Sequence, residues 1–125
     1  MSSPSGRLRP APPRGGELLG VLDIAFGFFV WALHLLVIYG AGALACVLGL
    51  ASAEPEAGRW LRLGLGGVTV LLALVVAGHA LARWRGAGAE PDRRFRAYAA
   101  ASGDAIALVA IVWQAFPIAL APVCT

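Results

Sequence analysis

Thirty consecutive residues without a formal charge, Ile24 to Ala53 (IAFGFFVWALHLLVIYGAGALACVLGLASA), set the terms for the rest of the chain. Roughly 20 apolar residues cross the hydrocarbon core of a bilayer as a helix, so this run spans it with residues to spare. Two more charge-free windows follow, Leu63 to Ala82 and Ala105 to Thr125. Three spans and short connections use nearly all of the 125 residues, which leaves no stretch for a water-soluble catalytic domain. The expected fold class is all-α, an integral membrane protein. It is a bundle of three transmembrane helices with a disordered N-terminal tail.

Composition agrees. The chain is 59% hydrophobic, where soluble domains lie near 45–50%. Its net charge of +3 comes from ten arginines, with no lysine, against seven acids. Nucleic-acid binding would need a basic face with stacking aromatics on a soluble module, whereas these arginines lie at membrane edges. The first run is also read as a retained span. Its charge-free length is about twice the usual 7–15 residue core of a cleaved signal peptide, and an acidic AEPEAG segment follows it.

Residues 1–16 (MSSPSGRLRPAPPRGG) hold four of the eight prolines and no apolar periodicity, which reads as a disordered tail. Residues 17–125 form the membrane domain, with spans at about 24–51, 61–83 and 104–122. A helix is expected to start near Glu17, whose acid suits a first turn. Asp23 then falls at headgroup depth. Pro55 and Gly58 are expected to stop the first span in a turn over 52–58. Trp60 and Trp84 frame the second span as interface anchors, about 36 Å apart along a helix. The polar stretch from Arg85 to Gly103 is expected to place a short basic helix on the membrane surface. Ser102 or Asp104 would cap the third span, and Pro117 would break it near Pro122.

Arginine placement predicts orientation. The tail and second connection hold eight (Arg7, Arg9, Arg14, Arg83, Arg85, Arg93, Arg94 and Arg96), and the first connection holds two (Arg59 and Arg62). The positive-inside rule then puts the N-terminus in the cytoplasm and the C-terminus outside the inner (plasma) membrane of a bacterium. Spans one and three run the same way, so Cys46 and Cys124 share the outer, oxidising side. They can form a disulfide closing the bundle or remain two small unlinked thiols.

His34 and His79 both fall in the cytoplasmic half of the bilayer, at heights that differ by about 6 Å when counted from the edges of the charge-free runs. Two such imidazoles can hold a b-type haem between them. A plainer partner for His34 is Gln114, ten residues past Asp104 as His34 is ten past Ile24. Asp23, Gly27 and His34 mark a face of small and polar residues on the first span. Such a face packs against protein, while Phe28, Phe29 and Leu36 suit lipid. No HExxH, P-loop, Ser-His-Asp set or intramembrane carboxylate pair is present, so no enzymatic activity is expected.

The run Trp31-Ala-Leu-His34-Leu-Leu-Val-Ile-Tyr39-Gly40, then Ala45-Cys46 and a final Pro122-Val-Cys124, resembles a group of small three-span bacterial membrane proteins. That group carries W-x-x-H-[FL]-x-x-x-Y-[GA] in its first helix, a cysteine soon after and a C-terminal P-x-C. Its members tend to be encoded beside haem–copper cytochrome oxidase subunits and their assembly factors. The resemblance covers the first span and the last few residues, and Gly27-Phe28 stands where the group usually has Gly-Pro. It implies association with a respiratory oxidase. The leading expectation is a non-catalytic accessory or assembly protein of a terminal, cytochrome c-type oxidase. It would hold no cofactor and would dock a membrane-protein partner through the face of Asp23, Gly27, Trp31, His34 and Gln114. The alternative is a haem b- or quinone-binding anchor subunit of a respiratory complex, using His34 and His79. Copper handling by Cys46 and Cys124 ranks third, because the only further soft donor, Met1, lies on the other side.

Overall fold

A computed structural model describes residues 14–50 and 55–120 together with Cys124. Residues 1–13 of the expected tail, residue 51 of the expected first span, residues 52–54 of the expected turn, and Pro122 lie outside the described residues, while residues 14–16 of that tail are helical. Among the described residues the helices α1 (Arg14–Ile24), α2 (Phe26–Val47), α3 (Pro55–Arg85) and α4 (Pro91–Leu120) follow in order. Helices α2, α3 and α4 are each long and apolar enough to cross a membrane, and no strand occurs among the described residues. The protein is thus an all-α, multi-pass membrane bundle.

Every span differs at its ends from the charge-free window that announced it. Helix α1 begins at Arg14 and is set off from α2 by a single turn residue, Ala25, whose N–H donates to Val21 O at 2.9 Å. Helix α2 stops at Val47, short of the expected 51. Gly49 adopts φ +66° just beyond it, the left-handed conformation that closes a helix C-terminus most readily when no Cβ is present. Pro55 opens α3, and Gly58 lies buried within it. A proline fits the first helical turn, where its missing N–H would have no partner in any case.

The largest difference concerns the third span. Arg85 to Gly103 does not form a separate surface helix, because α4 runs unbroken from Pro91 to Leu120. Ala97, Ala99, Ala100 and Ala101 favour helix continuation, and Gly103 alone is too weak a break to stop it. Ala97, Ala100, Ala101, Asp104, Ala107 and Ile111 form its buried stripe at three- and four-residue spacing. Asp104 therefore lies mid-helix and caps nothing. Pro117 is inside the helix as well.

Helix α4 touches all three others and is the axis of the bundle. Val76, Ala107 and Ile111 form the core, packed by Val30, Trp31, Ala73 and Leu108. Phe28, Phe29 and Leu36 face outward, as do Trp60 and Trp84 near the two ends of α3. The close approach of α2 to α4 depends on Gly27. A Cβ there would lie 2.5 Å from Asp104 Oδ1 and 2.9 Å from the Asp104 Cα. Helix backbone cannot yield as a flexible side chain does, so Gly27→Ala is expected to force the helices apart. The predicted loss is about 1–3 kcal/mol, read as a lowered unfolding midpoint in detergent.

Candidate functional site

Polar side chains inside the spans gather in two clusters at different depths. The first joins α1, α3 and α4. Asp23 is the penultimate residue of α1, His79 and Arg83 sit one turn apart on α3, and Asp104 comes from the middle of α4. His79 Nδ1 lies 2.6 Å from Asp104 Oδ2, and its Nε2 lies 3.2 Å from Asp23 Oδ1. Arg83 donates from its guanidinium to the same Asp23 oxygen. The His79 ring also packs on Phe26, with centroids 4.2 Å apart.

Proton bookkeeping follows from the partners. Both His79 nitrogens face carboxylate oxygens, which accept and do not donate when ionised. Satisfying both contacts takes one proton more than a neutral ring and two ionised acids contain. Counting that proton, the two acids, His79 and Arg83 balance in charge, with Asp104 buried and Arg83 about half-exposed at the outer edge of the cluster. Asp104 is fully buried, and its Oδ1 has no hydrogen-bond partner among the described residues. That oxygen faces the Gly27 backbone, which adds a second reason for glycine there.

The second cluster joins α2, α3 and α4. His34 is fully buried, with Nδ1 3.1 Å from Gln114 Oε1 and Nε2 2.9 Å from Thr69 Oγ1. The Gln114 pairing is the one that equal depth on parallel helices predicts. Thr69 Oγ1 also lies 2.9 Å from the Leu65 carbonyl. Its hydroxyl has one hydrogen. If that hydrogen goes to His34 Nε2, the ring donates from Nδ1 to Gln114 Oε1. If it goes to Leu65, the ring donates from Nε2 and Nδ1 receives the amide N–H of a turned Gln114. Both patterns use both ring nitrogens.

Two expectations are corrected by this geometry. His34 and His79 do not stand as facing haem ligands. All four of their ring nitrogens have polar partners, and the clusters are separated by the ten residues between Thr69 and His79, about 15 Å of helix. The 6 Å estimate failed because it took the inner ends of the first two charge-free windows as level, whereas α3 runs on past the start of α2 and His79 stands level with Asp23. The face of Asp23, Gly27, Trp31, His34 and Gln114 is likewise not an open docking surface. Its α2 residues lie against α3 and α4, with Trp31 on the core and His34 on Gln114 of α4, so the face is used for helix packing within the bundle. The Val76, Ala107 and Ile111 core separates the two clusters, so they form no continuous polar path.

Sequence reasoning missed Asp104, Thr69 and Arg83 as members of these clusters. Their signal was spacing: Leu65, Thr69, Val76, His79 and Arg83 follow one another at intervals of four, seven, three and four along one face of α3. Cys46, next to last in α2, is bonded to Cys124, with Cα atoms 5.7 Å apart. That bond takes the two thiols out of the proposed copper role while it is intact.

A third feature lies where α1, the end of α3 and the start of α4 meet. A cleft of about 540 Å³ opens there, and Asp23 and Arg83 connect it to the first cluster. The protein is thus defined as an integral membrane protein of three spans with two internal polar ties and a disulfide. No protein-family model, curated protein or solved structure matches the chain.

Proposed function

We propose that this protein is a non-catalytic accessory or assembly protein of a terminal, cytochrome c-type oxidase in a bacterial inner membrane. Its N-terminus lies in the cytoplasm and its C-terminus on the outer side. The observation that carries the reading is how the residues behind the family resemblance are used. His34 ties α2 to α3 and α4, Trp31 packs on the core, and Cys46 is bonded to Cys124. The motif thereby maintains a rigid three-span scaffold and presents no reacting group. A scaffold of this kind acts by what it holds next to it.

The partner is met by the outward helix faces, with Phe28 and Leu36 on α2 and Trp113 and Phe116 on α4. Eight arginines against two support the orientation. It also puts the disulfide in the oxidising compartment, where such bonds persist. The test is affinity purification of the tagged protein from native membranes in mild detergent. Recovery of an oxidase subunit or oxidase-assembly factor is expected. Recovery of neither, with the bundle intact by its disulfide, contradicts the proposal.

A further inference from the structure

Among the residues around the 540 Å³ cleft are Gly16 and Gly20 of α1, Arg83 in the last turn of α3 and Gly86 just past it, and Arg93 and Arg96 of α4. We propose that this cleft binds the phosphate of an anionic phospholipid headgroup through Arg93 and Arg96. Three observations combine. Asp23 already pairs with Arg83, whereas Arg93 and Arg96 have no ion-pair partner among the described residues. They are three apart on α4, so they project from one side of the helix. The opposite wall is stripped of side chains at Gly16 and Gly20. A Cβ at Gly20 would meet Arg96 Nη1 in ordinary contact at 3.5 Å, which places that guanidinium beside the bare stretch of α1.

Depth selects the ligand. The cleft lies level with Trp84, which is largely exposed and packs on Tyr98 at 5.1 Å between ring centroids. Arg94 sits over that Tyr98 ring, 5.5 Å from its centroid. Tryptophan and tyrosine together mark the membrane–water interface, where phospholipid phosphates lie. In the orientation proposed above this level is the cytoplasmic interface, where anionic headgroups are available. Glu90 and Asp92 also line the cleft. They balance its charge, so recognition must come from placed guanidinium groups and a headgroup-sized space, with bulk attraction playing little part. Guanidinium forks match phosphate oxygens two at a time. A free phosphate offers the same oxygens but no acyl chains to anchor it beside α1.

The test compares wild type, Arg93→Gln/Arg96→Gln, Gly20→Phe and Arg94→Gln, each purified in neutral detergent. Retention of phosphatidylglycerol, phosphatidylcholine and inorganic phosphate is read by native mass spectrometry, and the disulfide is checked in each sample. Wild type and Arg94→Gln are expected to retain phosphatidylglycerol over phosphatidylcholine. The double arginine variant is expected to lose that preference. Gly20→Phe loses it comparably by filling the cleft with no change of charge. Equal retention by wild type and the double variant, or no effect of Gly20→Phe, overturns the proposal. Retention of inorganic phosphate with no preference for phosphatidylglycerol overturns it too, assigning the cleft to a free anion.

Discussion

Asp104→Leu is expected to be the most damaging single substitution in this protein, lowering stability by about 3–5 kcal/mol. The side chain is fully buried and holds His79 at 2.6 Å. Removing it leaves His79 against one carboxylate, already engaged with Arg83, and breaks the charge balance of the cluster. Asp104→Asn keeps the volume and one acceptor oxygen, so a smaller loss of about 1–2 kcal/mol is expected. The diagnostic comparison is the double variant His79→Leu/Asp104→Leu. Replacing both members of a buried ionic pair with apolar residues removes the uncompensated charge, and Asp23 and Arg83 can still satisfy each other. The double variant should therefore unfold at a higher denaturant concentration than Asp104→Leu alone. A double variant weaker than either single change would show that the pair is not the unit described.

Breaking the disulfide is expected to have the second largest effect. Cys46 and Cys124 are 78 residues apart, so their bond closes a loop containing most of the membrane domain. A bond that closes so long a loop contributes about 2–4 kcal/mol, chiefly by restricting the unfolded chain. In a bilayer the unfolded helices are already confined to one plane, which favours the lower half of that range. Cys46→Ser, Cys124→Ser and the double variant should lose the same amount, since each removes one bond. Wild type should alkylate only after reduction, and reductant should lower its unfolding midpoint to that of the serine variants. Additive losses from the two single variants would contradict this account.

Much of the architecture was legible because membrane spans announce themselves through absent charge. Each of the three windows holds the apolar part of a described helix. Their ends were not legible, because a window ends at the first charge whereas a helix need not. Arg59 and Arg62 lie inside α3, and Arg93, Arg94 and Arg96 lie inside α4. Long arginine side chains reach water from within the last turns of a span. The same error hid Asp104. As the last acid before a charge-free run it looked like a cap, while its spacing from Ala97, Ala107 and Gln114 placed it on the buried stripe. His34 and Gln114 were legible as a pair because equal depth on two parallel helices needs only counting. Thr69 was not, since a single hydroxyl in an apolar helix more often returns its hydrogen to its own backbone, as Thr69 also does toward Leu65.

The claim on which the functional reading rests is that His34 serves its own bundle. It is tested most directly by a double-mutant cycle of His34→Leu and Gln114→Leu, with unfolding in detergent followed to completion. An interhelical hydrogen bond within a membrane averages about 0.6 kcal/mol and reaches about 1.7 kcal/mol. The predicted result is a double variant less damaged than the sum of the two singles, with a coupling in that range. Strictly additive losses, or no loss at His34, would leave the imidazole free for a partner or cofactor and contradict the scaffold described.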